Sequence, residues 1–127
     1  AASDVYKRPV LGCSATKSLT GALTGVMVKD HGLDIHTPIG LPEWAEDVRK
    51  DITIDHLLRM ESGLDLHEDF TPLAKATEML YGCSDMGVFA ASRPPACVPD
   101  HRWVYSSGSS NIPVSYTHLT LPTSDLV

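Results

Sequence analysis

The sequence predicts a mostly helical chain, and three observations lead to that prediction. A long helix with an apolar side is expected from Ser14 to about Asp30, because leucine, valine and methionine recur at helical spacing and Gly32 follows as a stop signal. Further helix-start and helix-stop signals follow it along the chain. Strand patterns are too few to build a sheet, so any sheet is expected to lie in sequence outside these residues.

The elements are expected in the following order. Gly21 and Gly25 weaken the first helix by about 1 kcal/mol each relative to alanine, and they predict close packing of a central helix against another element. Residues 34–44, which are rich in Pro and Gly, are expected to form an irregular loop. Short helices are expected at 54–61 after the N-cap Thr53, at 72–81 after Thr71, and at 85–92 after Ser84. Residues 103–106 are expected to be a strand end or an exposed turn.

Length and charge restrict the classes of function. With 127 residues the chain forms one domain at most, and 43% hydrophobic with 20% charged residues is ordinary for a soluble globular protein. The net charge of −6, with no cluster of Lys or Arg, argues against a nucleic-acid partner. No apolar run approaches the roughly 20 residues that a membrane span requires. The sequence indicates neither an oligomeric state nor, without an initiating Met or a signal-like segment, a cellular location.

The end of the chain is expected to be foreign to the protein. Val114 to Thr123 reads V-S-Y-T-H-L-T-L-P-T, which is the translation of GTCTCTTATACACATCTGACGCTGCCGACG, a string similar to a transposase-type sequencing adaptor. We therefore expect residues 1–113 to be a partial domain and residues 114–127 to be an adaptor-derived, non-native tail. Tyr116 and His118 then carry no functional weight.

Ser14 and Lys17 are three residues apart in the run S-A-T-K, at the start of the expected first helix. Side chains at this spacing share one face of a helix, so a lysine amine can reach a serine hydroxyl and act as its base. Free N–H groups at a helix start also favour a developing oxyanion. Only about 0.04% of an ordinary lysine is neutral at pH 7, so a lysine base requires burial. The alternative is that Ser14 is an N-cap and Lys17 a solvated surface lysine.

Other reactive side chains are expected to have no catalytic part. The cysteines form no C-x-x-C pair; they are Cys13, Cys83 and Cys97. Cys13 is expected to be a buried spectator thiol, because no His is placed to activate it. The charged residues after Gly63 are expected to form a solvated loop rather than a metal or paired-carboxylate site; they are Asp65, His67, Glu68 and Asp69.

Three separated motifs in the chain together resemble one known family. The motifs are S-A-T-K (14–17), I-T-I-D-H-L-L-R-M-E-S-G-L (52–64) and W-V-Y-S-S-G-S-S-N (103–111). In this order they resemble the serine β-lactamase-related, penicillin-binding-protein-like hydrolases. That family contains class C β-lactamases, DD-peptidases, related esterases and 6-aminohexanoate-dimer hydrolases. The resemblance covers about Val10 to Pro113.

The resemblance implies an α/β fold of the β-lactamase/transpeptidase type, of which these residues form mostly the helical part. It implies that Ser14 is the acylated nucleophile, that Lys17 is its base, and that Tyr105 carries the proton to the leaving group. Ser107 stands where the family's Y-x-N motif has Asn, and is expected to bind substrate through its hydroxyl. No metal or organic cofactor is implied, and the expected partner is a small ester, amide or lactam substrate. The family's Lys/His-Thr-Gly strand is absent up to Pro113, so the chain as it stands is expected to be inactive.

The stretch D-L-H-E-D-F-T-P-L (65–73) looks most like the 6-aminohexanoate-dimer hydrolase and esterase branch, which we favour over a β-lactamase or a DD-peptidase. Two alternatives stay open. The first is a non-catalytic, penicillin-sensor-like or binding domain on the same fold, in which the serine is acylated but not turned over. The second is a helical interaction module in which Ser14 and Lys17 are ordinary surface residues.

Overall fold

Helices make up most of the regular structure in residues 12–120, the part of the chain that a computed structural model describes; of residues 116–120 it describes the backbone only. The helices are α1 (Thr16–His31), α2 (Ile54–Leu58), α3 (Lys75–Tyr81), α4 (Met86–Ala91) and α5 (Ser107–Thr120). Short 3-10 helices occur at Cys13–Ala15, Pro42–Trp44 and Val48–Asp51. Within the described range there are two isolated bridges and no strand. The mostly helical prediction is confirmed, and the α/β class stays a prediction.

Local signals correctly place the end of α1 and the start of α2. Gly32 follows α1 with a left-handed φ of 67°, and its N–H donates back to the Met27 carbonyl. Thr53 begins α2 as the N-cap of a capping box: its hydroxyl accepts from the His56 N–H at 3.2 Å, and its own N–H donates to His56 Nδ1 at 3.2 Å. The predicted extent of α2 was too long, because Met60 adopts a left-handed φ of 63° and stops the helix.

The starts of α3 and α4 differ from the sequence prediction. Pro72 does not begin α3, because the Thr71 carbonyl closes a turn with the Ala74 N–H at 3.0 Å and Ala74 is extended. The helix therefore begins three residues later, at Lys75. The N-cap of α4 is Asp85 rather than Ser84, since the Asp85 carboxylate accepts from the Val88 N–H at 2.9 Å.

The buried core is built by the short helices and the loops between them. Its largest side chain, Trp44, is wholly buried, and the indole Nε1 donates to the Ala91 carbonyl at 2.8 Å. The other buried apolar members are Ile39, Ile52, Ile54, Leu57, Leu64, Leu66, Met79, Ala90, Ala91 and Ile112. This cluster holds residues 33–112 together and leaves α1 at its margin.

The predicted central position of α1 is wrong within the described residues. Leu19 and Leu23 are 64% and 65% exposed. A Cβ added at Gly21 or Gly25 would meet nothing within 4 Å, so these glycines do not mark a close helix contact. Thr24 is the buried residue of α1. No helix in residues 12–120 has the length and apolar character needed to cross a membrane.

Glycines in α4 and α5 let neighbouring chain pack closely against both helices. A Cβ at Gly87 would overlap Ser115, and a Cβ at Gly108 would overlap Leu66, so both glycines allow neighbouring chain to approach. Pro113 lies fully buried inside α5. The expected foreign tail therefore includes the second half of α5, and its residues 121–127 lie outside the described part.

Gly63→Ala is expected to destabilise the chain more than Gly40→Ala. Both glycines have a left-handed φ, 75° and 72°, so either substitution costs about 1–2 kcal/mol in backbone conformation. At Gly63 the new Cβ would also overlap the Cys97 carbonyl oxygen, whereas at Gly40 the nearest atom, the Pro38 carbonyl oxygen, is 4.0 Å away. Urea unfolding followed by tryptophan fluorescence measures both losses. Equal losses in the two variants would contradict the tight approach of residues 97–98 to Gly63.

Candidate active site

Ser14 and Lys17 meet at the start of α1, as their spacing predicts. Ser14 lies in the 3-10 turn Cys13–Ala15, which runs directly into the helix. The Lys17 amine donates to the Ser14 hydroxyl at 3.2 Å. Ser14 is exposed and Lys17 is half-buried. The alternative that Ser14 is the N-cap is wrong, because the cap position is Ala15 and no side-chain cap bond forms there.

Tyr105 and Ser107 approach the same lysine from the far end of the described chain. The Lys17 amine donates to the Ser107 hydroxyl at 2.9 Å, a contact between residues 90 positions apart. The same nitrogen lies 5.0 Å from the centre of the Tyr105 ring. The four residues selected from the sequence therefore form one cluster around the Lys17 amine.

Backbone hydrogen bonds hold the segment that carries Tyr105 against the end of α2. The Val104 N–H donates to the Met60 carbonyl at 2.9 Å, and the Asp100 N–H donates to the Glu61 carbonyl at 2.9 Å. Arg59 pairs with the carboxylates of both Glu61 and Asp100. Because these bonds connect the second and third motifs, the fold of residues 59–61 sets the position of Tyr105.

Comparison with protein-family models decides the family of the chain. The model described as Beta-lactamase matches residues 9–113. The chain belongs to the beta-lactamase family. This confirms the membership expected from the three motifs, all of which lie in the matched range. The chain matches no curated protein.

The electrostatic setting of this beta-lactamase family site favours ionisation of Tyr105. Hydrogen bonding with the Ser14 side chain, and then with Lys17, lowers the pKa of the Tyr105 phenol below its ordinary value. The positive charge of Lys17 lowers the pKa further, while the Glu68 carboxylate raises it. Tyr105 thus has a neighbouring cation and a neighbouring anion that act on its pKa in opposite directions.

Glu68 is a site residue that the sequence prediction missed. It was expected in a solvated loop, but it is half-buried, and its carboxylate accepts a hydrogen bond from the Ser107 N–H. Its neighbours Asp65, His67 and Asp69 are exposed, as expected for that loop. Glu68 lies 39 positions before Ser107, and no spacing rule connects a loop carboxylate to a distant backbone N–H. Only the folded chain identifies this contact.

Cys13, which precedes Ser14, was also predicted wrongly. It is exposed rather than buried, and its φ of 44° is left-handed. A non-glycine residue in this conformation is uncommon because its Cβ crowds the backbone. The turn before the helix thus leads Cys13 outward and places Ser14 beside Lys17.

Removing either hydrogen-bonding partner should raise the pKa of Tyr105. Ser14→Ala deletes the hydrogen bond that lowers this pKa most, and Lys17→Met deletes both a hydrogen bond and a positive charge. The phenol is expected to titrate at higher pH in each variant than in the unchanged chain. Carbon-13 NMR of labelled tyrosine measures the titration, with Tyr105→Phe identifying the resonance. Lys29→Met, which removes an exposed lysine elsewhere on α1, is the control; an equal shift in that variant would contradict a local origin.

Proposed function

We propose that the chain is part of a serine hydrolase that cleaves ester or amide bonds through an acyl-enzyme, with Ser14, Lys17 and Tyr105 as its catalytic residues. The single observation that carries this proposal is the position of the Lys17 amine. It lies 3.2 Å from the Ser14 hydroxyl, 2.9 Å from the Ser107 hydroxyl and 5.0 Å from the Tyr105 ring centre. Membership of the beta-lactamase family supports the same class of chemistry.

In the proposed acylation step, the Ser14 oxygen attacks the substrate carbonyl carbon and its proton passes to the Lys17–Tyr105 pair. The lowered pKa of Tyr105 supports this role, because a phenol that ionises more readily exchanges a proton at lower cost. Backbone N–H groups near the start of α1 hold the oxyanion. Tyr105 then protonates the leaving alcohol or amine, and water frees the acyl group from Ser14.

The contacts of Lys17 weigh against the helical interaction module. A solvated surface lysine would extend into water, whereas Lys17 is half-buried and donates to two hydroxyl groups. The sensor-like alternative uses the same cluster and differs from the hydrolase only in the fate of the acyl-enzyme. That alternative is therefore distinguished by release of the acyl group.

We propose further that the substrate is an ester or a linear amide, as in the esterase and 6-aminohexanoate-dimer hydrolase branch, rather than a β-lactam or a peptidoglycan peptide. Two sequence features support this choice: the stretch 65–73, and a serine at position 107 where the family's Y-x-N motif has Asn. Ser107 uses its hydroxyl to accept from Lys17. The shorter side chain leaves a position beside Tyr105 less crowded than an asparagine would.

We also propose that residues 114–127 are an adaptor-derived tail, so that residues 1–113 are the authentic part of a longer domain. The family match, which ends at residue 113, supports this division. Residues 114–123 also support it, because they are the translation of a DNA string similar to a transposase-type sequencing adaptor. The remaining wall of the pocket, with its Lys/His-Thr-Gly strand, would then be supplied by sequence that this chain does not contain.

Ser14 should be acylated or phosphonylated by activated reagents. We expect a fluorophosphonate to add one adduct at Ser14, read by intact-mass and peptide mass spectrometry. Lys17→Met and Tyr105→Phe should slow labelling by about 100-fold or more, as is usual on loss of acid–base catalysis. Ser14→Ala should abolish labelling, and Ser18→Ala, an exposed serine on the same helix, should not change it. Labelling that is equal in all variants would contradict the nucleophile assignment.

Acylation of Ser14 by chromogenic substrates tests the substrate class, and the fate of the adduct distinguishes the hydrolase from the sensor-like domain. A p-nitrophenyl ester should acylate Ser14 faster than a chromogenic cephalosporin, and the reverse order would contradict the proposed substrate class. Because the third motif is missing from residues 1–113, we expect acylation with little turnover in this chain. A completed chain should release the acyl group, whereas a stable adduct there would support the sensor-like domain. Free modification of Lys17 by amine reagents would support the interaction module.

Resequencing of the source DNA across the Pro113 codon, from a library made without transposase adaptors, should give a different reading frame after that codon. We expect the new frame to encode strands and a Lys/His-Thr-Gly type motif. Persistence of V-S-Y-T-H-L in the genomic sequence would contradict the tail proposal and leave the hydrolase without that motif.

A further inference from the structure

We propose that Glu68 is a positioning residue of this site, whose carboxylate holds the Ser107 N–H and thereby keeps Ser107 and Tyr105 against Lys17. This role of Glu68 deepens the proposed function. It rests on that function wherever a change in the rate of Ser14 labelling is interpreted. Its principal readout, the titration of Tyr105, does not depend on any catalysed reaction.

Ser107 is the residue at which two of the site's hydrogen bonds meet. Its hydroxyl accepts from the Lys17 amine at 2.9 Å, and its N–H donates to the Glu68 carboxylate. As the first residue of α5, Ser107 has an N–H with no partner inside the helix. A carboxylate at this end of a helix is also favoured by the helix dipole. Glu68 therefore supplies the bond that the helix start lacks.

The loop that carries Glu68 is itself anchored against the start of α5. Leu66 is buried and lies against Gly108, where a Cβ would overlap it. On the other side of Glu68, the Asp69 carboxylate accepts from the Thr71 N–H at 3.0 Å. The Leu66 contact therefore anchors the loop at the start of α5, whereas the Asp69–Thr71 bond closes a turn within the loop itself. Glu68 lies between these two features, half-buried, and contacts the first turn of α5.

Tyr105 depends on this bond because it lies two residues before Ser107. On its upstream side the chain is held by the bond from the Val104 N–H to the Met60 carbonyl. On its downstream side Ser106 is buried, and the Ser107 N–H is bound by Glu68. Releasing the downstream bond allows the Tyr105 ring to move away from the Lys17 amine, now 5.0 Å from its centre.

Three substitutions distinguish the effect of the Glu68 hydrogen bond to Ser107 from the effect of the Glu68 negative charge. Glu68→Gln keeps an oxygen that accepts from the Ser107 N–H but removes the negative charge. Glu68→Ala removes both, and Glu68→Asp keeps the charge on a side chain too short to reach. The charged groups that act on the Tyr105 pKa are Lys17 and Glu68, and the charge of Glu68 acts more weakly on it than the hydrogen bonds with Ser14 and Lys17 do. Displacement of Tyr105 from Ser14 and Lys17 should therefore change its pKa more than loss of the Glu68 charge does.

The titration of Tyr105, followed by carbon-13 NMR, should move in opposite directions in these variants. In Glu68→Gln the pKa should fall, because a negative charge that raises it is removed while the geometry is kept. In Glu68→Ala and Glu68→Asp the pKa should rise toward its ordinary value, because Tyr105 loses its hydrogen bonds with Ser14 and Lys17. Asp65→Ala, which removes an exposed acid from the same loop, should leave the titration unchanged.

A pKa that falls equally in Glu68→Gln and Glu68→Ala would overturn the proposal, since Glu68 would then act by charge alone. A pKa that moves in neither variant would overturn it as well. Near-ultraviolet circular dichroism checks folding. If Glu68→Ala and Glu68→Asp both fail to fold while Glu68→Gln folds, the bond serves the fold rather than the site, and the proposal is overturned.

Labelling of Ser14 by a fluorophosphonate is the second readout. The rate should fall by about 100-fold in Glu68→Ala, as for a misplaced catalytic group, and should stay within about threefold of the unchanged chain in Glu68→Gln. If the unchanged chain gives no Ser14 adduct but the Tyr105 titration moves as stated, the proposed function fails while the positioning role stands. If Ser14 is labelled as fast in Glu68→Ala and Glu68→Asp as in the unchanged chain, the positioning role fails while the proposed function stands.

Discussion

The arrangement of the site depends on one hydrogen bond, in which the Lys17 amine donates to the Ser107 hydroxyl at 2.9 Å. It connects the start of α1 to the start of α5 across 90 positions of chain. The apolar face of α1 is largely exposed, so packing contributes little to holding this helix in place. A polar contact at the helix start therefore determines where Ser14 lies relative to Tyr105.

Opposite charges lie on either side of the first turn of α5. Lys17 contacts the Ser107 hydroxyl, and Glu68 contacts the Ser107 N–H. Both also act on Tyr105, where Lys17 lowers the pKa of the phenol and Glu68 raises it. Removal of the Lys17 amine, or of the whole Glu68 carboxylate, is therefore expected to alter both the geometry and the protonation of the same tyrosine. This coupling is the physical basis for treating the four motif residues and Glu68 as one unit.

Prediction from the sequence succeeded where a signal acts within one or two turns of chain. Gly32 ends α1 and Thr53 begins α2, because each signal is satisfied by a backbone group within five residues. Prediction from the sequence failed where two local conformations or two neighbouring caps compete. Pro72 could begin a helix, but the Thr71 carbonyl closes a turn there instead, and Asp85 caps α4 in place of the adjacent Ser84.

The sequence by itself determined the beta-lactamase family of the chain, its mostly helical character, and the proximity of Ser14 to Lys17, since motif order and helical spacing are properties of the chain alone. The resemblance implied that Tyr105 and Ser107 belong to this site, but only the tertiary structure decided their distances from the Lys17 amine. Only the tertiary structure showed that Glu68 binds the Ser107 N–H. It also decided that Cys13 and the apolar side of α1 are exposed. The contacts of Tyr105, Ser107 and Glu68 join residues tens of positions apart. Their formation depends on how the whole core packs rather than on any local pattern.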